Sequence, residues 1–195
     1  MLDDDSDDPI DADVLEQLRL QGDQRRKHAT FFSWHDRSPH GKGVAETGAV
    51  QTLVDAMASA GLHDFVNPRP SGDSWPDCIA EDPHGAPVAF EVTELVDRKA
   101  LPDGPPKPWS LGAVRDRLEA IITTKDQKSF GGGRYCKVVL LIHTDELYID
   151  AQVVGPALKH ELFTTTHGNL NRVFLLFSYD PKVQTYPFVE LRLAA

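Results

Sequence analysis

The apolar run CKVVLLIH at residues 136–143 constrains the fold more than any other segment of the chain. Five consecutive residues within it, 138–142, are Val, Leu or Ile, without the alternation that a half-exposed strand shows. Such a run is typical of a strand that is covered on both faces of a sheet. The sequence therefore predicts a central strand between layers of helices, which is an α/β architecture.

The segments around this run supply the helices and strands that such a sheet needs. Apolar spacing predicts helices over 12–29, 44–61, 111–128 (with Ser110 as a possible cap) and 152–162, and strands over 63–67, 77–80, 87–95, 172–178 and 186–193. A turn at 83–86 would join the second and third strands as a hairpin, while 31–43 and the proline-rich 97–110 read as connections. We expect one mixed central sheet flanked by helices.

Charge divides the chain unevenly. Seven aspartates in residues 1–13 account for most of the net charge of −10, so the remainder carries −3. We expect 1–13 to be a disordered acidic leader and 14–195 to form a single domain. No apolar stretch reaches 18 residues, and the acidic start is unlike a secretory signal, so we expect a cytoplasmic protein with no membrane partner. Binding of nucleic acid would need local patches or bound metal.

An acidic residue, Glu91, lies in the middle of the largely apolar strand predicted at 87–95. The alternation of a strand places Glu91 on the same face as Ala89 and Thr93, which leaves space beside its carboxylate. Asp77 begins the preceding strand, and pairing through the turn would bring the two carboxylates together. Adjacent carboxylates repel each other, and oxygen ligands of this kind suit Mg²⁺ or Mn²⁺. The pair therefore predicts a metal site.

Two further charged residues break the apolar stripes of predicted helices. Glu46 falls in register with the stripe of the helix at 44–61, and Lys125 with the stripe of the helix at 111–128. Each side chain is thus expected to point towards the sheet, which is costly unless the charge is paired or bound to a ligand. We expect both to join the two strand carboxylates in one polar pocket.

This arrangement resembles the PD-(D/E)XK nuclease superfamily, whose members share the restriction-endonuclease-like fold. Pro76-Asp77 matches the PD element, and Glu91-Val92-Thr93 stands in place of (D/E)-X-K. The predicted order of elements over roughly 44–143 is similar to the αβββαβ core of that fold. The N-terminal helix and the C-terminal α/β elements would then be additions to the core.

The resemblance implies a Mg²⁺- or Mn²⁺-dependent endonuclease that hydrolyses phosphodiester bonds, with DNA as the expected substrate. Asp77 and Glu91 would be metal ligands, and Val92 would offer its backbone carbonyl. Glu46 would be the acidic residue of the first helix, which assists the site or holds a second ion. A homodimer stays open, because many nucleases cut both strands as dimers.

One motif position departs from the family. Thr93 stands where the family has a lysine, and in some members that lysine comes from the following helix. Lys125, with Lys128 as a second candidate, is placed to supply it and to position the attacking water or balance charge. If neither lysine reaches the site, the alternative is a catalytically inactive nuclease-like fold that binds protein or nucleic acid.

Overall fold

The computed structural model describes residues 39–72, 75–96, 109–128, 130, 134–146 and 149–194, with side chains from residue 43 onwards. Within these ranges the chain forms three helices and seven strands. The predicted leader at 1–13, the predicted helix at 12–29 and most of the predicted loop at 97–110 lie outside the described residues.

Helices and strands are interspersed along the chain in an α/β order. They are α1 (Pro39–Ser59), β1 (Val66–Pro70), β2 (Cys78–Glu81), β3 (Pro87–Glu94), α2 (Leu111–Asp126), β4 (Lys137–His143), α3 (Ala151–Leu158), β5 (Leu162–Thr164), β6 (Arg172–Leu176) and β7 (Phe188–Ala194). From α1 to β4 the order is one helix, three strands, one helix and one strand, which agrees with the predicted order.

All seven strands lie in one mixed sheet with the order β1-β2-β3-β4-β6-β7-β5. Strand β4 is central and pairs in parallel with β3 on one side and β6 on the other. Six of its seven residues are buried, so the prediction of a strand covered on both faces is confirmed. The β1–β2, β2–β3 and β6–β7 pairs are antiparallel, and β5 pairs in parallel with β7.

Each face of the sheet has its own hydrophobic core. The face covered by α1, here the α1 face, buries Cys78, Ala80, Val88, Phe90, Val92, Val139, Leu141, Phe174 and Leu176. The opposite face, here the α2 face, is covered by α2 and α3 and buries Ala89, Leu95, Val138, Leu140, Ile142, Val173 and Leu175. Side chains in β3 alternate between the two cores, as the period of a strand requires. This alternation decides which helix each polar residue of β3 can meet.

The hairpin between β2 and β3 forms as predicted. Its turn is closed by Asp82, whose Oδ1 accepts hydrogen bonds from the backbone N–H groups of His84 and Ala86, both at 2.9 Å. Gly85 has φ of +80°, a conformation that glycine adopts without steric cost. The turn fixes the register of the two strands, with Cys78 opposite Phe90.

Helix α2 begins at the predicted cap. The hydroxyl of Ser110 accepts a hydrogen bond from the Ala113 N–H at 3.1 Å, which satisfies one of the free donors of the first turn. The helix buries Val114, Leu118, Ile121 and Ile122 against the α2 face, so its predicted apolar stripe is confirmed. It ends at Asp126, two residues earlier than expected.

Helix α1 starts earlier than the sequence indicated. The segment 31–43 was expected to be a connection because of Pro39, Gly41 and Gly43, but the helix begins at Pro39. Proline is accepted in the first turn because its missing N–H would have no helical partner there. At the other end, the N–H of Leu62 donates to the Met57 carbonyl at 2.8 Å and Gly61 has φ of +78°, which terminates the helix.

Two strands differ from expectation. The first strand was expected at 63–67 but runs over Val66–Pro70, where two prolines are tolerated because β1 is an edge strand. The helix predicted at 152–162 ends at Leu158, and Leu162–Thr164 forms β5 instead. A three-residue strand leaves no usable periodicity in a sequence.

No helix among the described residues is long and apolar enough to span a bilayer.

Candidate functional site

The start of β2 brings Asp77 beside the middle of β3. The N–H of Asp77 donates to the Phe90 carbonyl at 3.1 Å, and Asp77 Oδ2 accepts from the N–H of Val92 at 2.8 Å. The carboxylate therefore replaces a backbone acceptor at the point where the ladder between β2 and β3 ends. The paired register ends with Cys78 opposite Phe90, and these two hydrogen bonds join Asp77 to the residues on either side of Glu91 in β3.

The residues before Asp77 are held by aromatic packing. The Trp75–Pro76 peptide bond is cis. The indole of Trp75 stacks on Phe130 with ring centroids 5.1 Å apart and meets the edge of Tyr135 at 5.5 Å. These rings pack against the core of the α2 face. The packing holds in place the chain that leads into the acidic position.

Glu91 is a buried acid in the central part of the sheet. Its residue is only 3% exposed, and its neighbours at alternate positions, Ala89 and Leu95, belong to the α2 face. A carboxylate buried there without a partner would cost several kcal/mol, on the order of what an unpaired buried ion costs in proteins. The partners that offset this cost come from α2.

Both lysines at the end of α2 contact the same oxygen of Glu91. Lys125 Nζ lies 2.5 Å from Glu91 Oε1, and Lys128 Nζ lies 2.9 Å from it. The two lysines are three residues apart and so project from one side of the helix end. The Lys125 side chain is 18% exposed and that of Lys128 is 51% exposed. Lys125 is therefore the inner member of the pair, as its place on the apolar stripe predicts.

The charges of the site act on one another. Burial raises the pKa of Glu91, but its hydrogen bonds and charge interactions with Lys125 and Lys128 outweigh burial and bring the pKa below its ordinary value. The hydrogen bond to Glu91 raises the pKa of Lys128, and the charge of Asp77 adds to this rise. Asp77 thus lies close enough to Lys128 to share one electrostatic environment with the other three groups.

Oxygen donors from two neighbouring positions fit a hard divalent cation. The site offers the carboxylates of Asp77 and Glu91, and Oε2 of Glu91 accepts no hydrogen bond from any described residue. The Val92 N–H points to Asp77, and the carbonyl of an extended residue points to the same side of its strand as its N–H. One or two carboxylates, completed by water and phosphate oxygens, are the usual protein ligands of Mg²⁺. Asp77 and Glu91 are thus the described residues that could hold Mg²⁺ or Mn²⁺.

Glu46 is half-buried on α1, the helix that covers the α1 face of the sheet. Across the described ranges, no three His, Cys, Asp or Glu side chains converge in a metal-binding group. Glu46 therefore forms no three-acid cluster with Asp77 and Glu91, and its part in a metal site stays a prediction.

Sequence reasoning missed one acidic residue close to the site. Asp126 lies between the two lysines in sequence, is fully buried and accepts four backbone N–H groups. Its position on the apolar side of α2 was the available signal, since it follows Ile122 by four residues. Its partners, at 166–170, are about 40 residues away in the chain, so spacing alone could not reveal them.

Comparison with protein-family models, with curated proteins and with solved structures finds no match. The fold class of the protein is therefore taken from its own secondary structure and sheet topology. It is an α/β protein with a mixed seven-stranded sheet and three helices within the described residues, and it carries an acid–lysine cluster on β3 and α2.

Proposed function

We propose that the protein is a Mg²⁺- or Mn²⁺-dependent endonuclease that hydrolyses phosphodiester bonds in DNA. The observation that carries this proposal is the contact of Lys125 Nζ with Glu91 Oε1 at 2.5 Å, beside the Asp77 carboxylate. An acid pair and a lysine at one point of a sheet are the groups that the PD-(D/E)XK resemblance requires. Lys125 takes the place of the lysine that Thr93 lacks.

The order of elements also supports a restriction-endonuclease-like core. The chain from α1 to β4 has the αβββαβ order, with an antiparallel β1–β2–β3 unit and β4 parallel to β3. In this core Asp77 precedes β2, and Glu91 lies within β3. The C-terminal α3, β5, β6 and β7 extend the sheet beyond β4.

Charge balance explains how an acidic protein would hold a phosphodiester. Two carboxylates, Asp77 and Glu91, and two ammonium groups, Lys125 and Lys128, leave the cluster formally neutral. A divalent cation held by Asp77, Glu91 and the Val92 carbonyl would make the same cluster positive. When bound, such an ion polarises a phosphoryl oxygen and acidifies a water ligand. The net charge of −10 predicts weak binding of DNA when metal is absent.

The lysines have different tasks in this proposal. Lys125, largely enclosed between α2 and β3, orients the attacking water and balances the charge that develops on the phosphate. Lys128, which is half exposed, meets the incoming phosphate and screens the acidic pair from it. The lower exposure of Lys125 supports a role at the reacting group, and the higher exposure of Lys128 supports a role in binding.

A plasmid-cleavage assay with Mg²⁺, Mn²⁺ or EDTA tests the proposal. We expect metal-dependent conversion of supercoiled to nicked or linear DNA by the wild type. Asp77→Asn and Glu91→Gln, which keep side-chain size while removing charge, should abolish it. Glu81→Gln is the matched control, because Glu81 is an acid of the same hairpin that pairs with Arg69 at the surface. Cleavage that persists in the Asp77 and Glu91 variants would remove both residues from the mechanism.

A non-catalytic module is the second candidate function. The feature that favours it is Thr93, because the motif position itself lacks a lysine. In that case the wild type would bind nucleic acid or protein and cleave neither plasmid DNA nor single-stranded DNA nor RNA with either metal. Binding measured in parallel with cleavage separates the two functions.

A further inference from the structure

The last residue of α2 is an acid with no cationic partner in the described part of the chain. Asp126 is fully buried, although carboxylates are seldom buried unless they are paired. Its Oδ2 accepts from the N–H groups of Thr166 at 2.9 Å and His167 at 2.7 Å, and its Oδ1 from those of Asn169 at 2.8 Å and Leu170 at 3.3 Å. Neutral backbone dipoles therefore satisfy both oxygens.

The same segment also holds the backbone of the helix end. The side-chain amide of Asn169 donates to the Asp126 carbonyl at 2.7 Å. Burial raises the pKa of Asp126, but the backbone N–H donors outweigh burial and lower the pKa overall, so the group is charged at neutral pH. Five hydrogen bonds thus join the C-terminal end of α2 to residues 166–170.

That segment is itself fixed to the central strand. Asn171 donates its N–H to the Val138 carbonyl at 2.9 Å, and its side-chain oxygen accepts from the Val138 N–H at 2.7 Å. Val138 lies in β4, which pairs with the strand that carries Glu91. A continuous path of hydrogen bonds therefore runs from β3 through β4 and 166–171 to the end of α2, where the lysines return to Glu91.

We propose that Asp126 is a positioning residue for Lys125 and Lys128. It fixes the backbone at the end of α2, so that two long side chains converge on one oxygen of Glu91. Fixing a lysine side chain costs rotamer entropy, and a helix end free to move would make this convergence rarer. The consequence for cleavage rests on the proposed nuclease function, whereas the consequence for lysine geometry does not.

The test compares Asp126→Asn with a matched substitution at another buried aspartate. The amide keeps the shape of the carboxylate but replaces one acceptor oxygen with a donor that faces backbone N–H groups. Asp82→Asn makes the same change in the β2–β3 turn, where Asp82 is also buried and accepts two backbone N–H groups. Both variants are compared at equal folded fraction, checked by circular dichroism and urea unfolding.

The first readout is the rate of lysine acetylation, measured by mass spectrometry. Lys125 and Lys128 should react slowly in the wild type because Glu91 holds them, while the exposed Lys159 and Lys182 serve as internal references. Asp126→Asn should increase the reactivity of Lys125 and Lys128 severalfold relative to the references. Asp82→Asn should leave the ratio unchanged. An unchanged ratio in folded Asp126→Asn would overturn the proposal.

The second readout is the steady-state kinetics of cleavage. A purely structural role of Asp126 would not lower kcat selectively in variants compared at equal folded fraction. We expect kcat to fall by about 10- to 100-fold with KM changed less than about twofold, because misplaced catalytic groups reduce the chemical step. If Asp126→Asn does not fold, Asn169→Ala removes one of the five hydrogen bonds and should give a smaller rise in lysine reactivity; no rise would reject the positioning role. A wild type that does not cleave would reject the nuclease, and acetylation would still decide the role of Asp126.

Discussion

Lys125 and Glu91 are 34 residues apart in the chain, yet Nζ of the first lies 2.5 Å from Oε1 of the second. The lysine comes from the end of α2 and the acid from the middle of β3. Lys128 reaches the same oxygen from a more exposed position. This three-residue contact is the basis of the predictions about the site.

The first prediction concerns the unequal parts of the two lysines. Lys125→Met keeps most of the apolar stem and should lower kcat by about 10²- to 10³-fold, the effect of losing one group that stabilises transition-state charge. Lys128→Met should reduce kcat by no more than about 10-fold and act mainly on KM, because its side chain is 51% exposed. The measurement is steady-state cleavage of a fluorescent duplex, with Lys159→Met as control. Equal effects of the two changes would contradict the assignment.

The second prediction concerns metal binding without reference to cleavage. A ligand that binds only the folded state increases the free energy of unfolding, by about 2.7 kcal/mol at one hundred times its Kd, and so raises the melting temperature. Mn²⁺ should therefore raise the Tm of the wild type in a concentration-dependent manner. Asp77→Asn should remove most of this rise, and Glu81→Gln should keep it. A Tm that rises equally in all three proteins would indicate that Mn²⁺ binds elsewhere.

The third prediction concerns acid stability and Glu91. Because its folded-state pKa lies below the ordinary value of 4.5, Glu91 contributes stability that is fully present above pH 4.5 and is lost as the pH falls through the folded-state pKa. At pH 7, Glu91→Gln should cost about 1–3 kcal/mol, less than a fully buried pair because the lysines are partly exposed.

Urea unfolding of Glu91→Gln and the wild type at pH 7 and pH 3 checks this. The difference between the two proteins should shrink at pH 3, because below pH 4.5 the unfolded chain takes up a proton that the folded carboxylate binds less readily. Glu161→Gln is the control, because its pair with Arg115 is exposed on both sides and should contribute less stability than the Glu91 pair. A difference that is the same at both pH values would contradict the pKa direction.

The fourth prediction concerns the buried imidazole of His143. Burial lowers the pKa of His143 from 6.5 to about 4. Above pH 6.5 the group is neutral in both states; between 6.5 and 4 the unfolded chain takes up a proton that the folded chain excludes, so stability falls as pH falls. The full loss is about 3 kcal/mol, from 1.36 kcal/mol per pKa unit.

The slope of unfolding free energy against pH measures this effect. His143→Gln should flatten the slope between pH 6.5 and 4 relative to the wild type. His84→Gln, a change at an exposed turn residue, is the control for replacing a histidine. Parallel curves for His143→Gln and the wild type would show that the imidazole titrates normally in the folded state.

The fifth prediction concerns two arginine pairs of different burial. Arg172 binds Glu190 through two nitrogens, at 2.6 and 2.8 Å, and Asp64 at 2.7 Å, and its guanidinium lies 4.8 Å from the centroid of the Phe174 ring. Arg172→Ala should cost about 1–3 kcal/mol, because it breaks a bidentate pair and a cation–π contact together. Arg69→Ala should cost less than about 1 kcal/mol, because the Arg69–Glu81 pair is exposed. Chemical denaturation of both variants shows which substitution lowers the free energy of unfolding more.

Local pattern determined much of the fold and part of the site. The continuous apolar run predicts β4, the alternation in PVAFEVTEL predicts β3 and the side of Glu91, and Ser110 marks the start of α2. These features depend on residues that are close together in the sequence, so a single sequence is enough to predict them. The inward direction of Lys125 follows from helical spacing in the same way.

The tertiary structure decided features that depend on distant partners. The start of α1 at Pro39, the position of β1 and the three-residue β5 depend on what the chain packs against. The backbone N–H groups that enclose Asp126 come from residues 166–170. The sequence therefore determined which polar side chains lie on otherwise apolar faces. Tertiary packing determined which of these side chains contact one another, because contacts between distant segments have no periodicity along the chain.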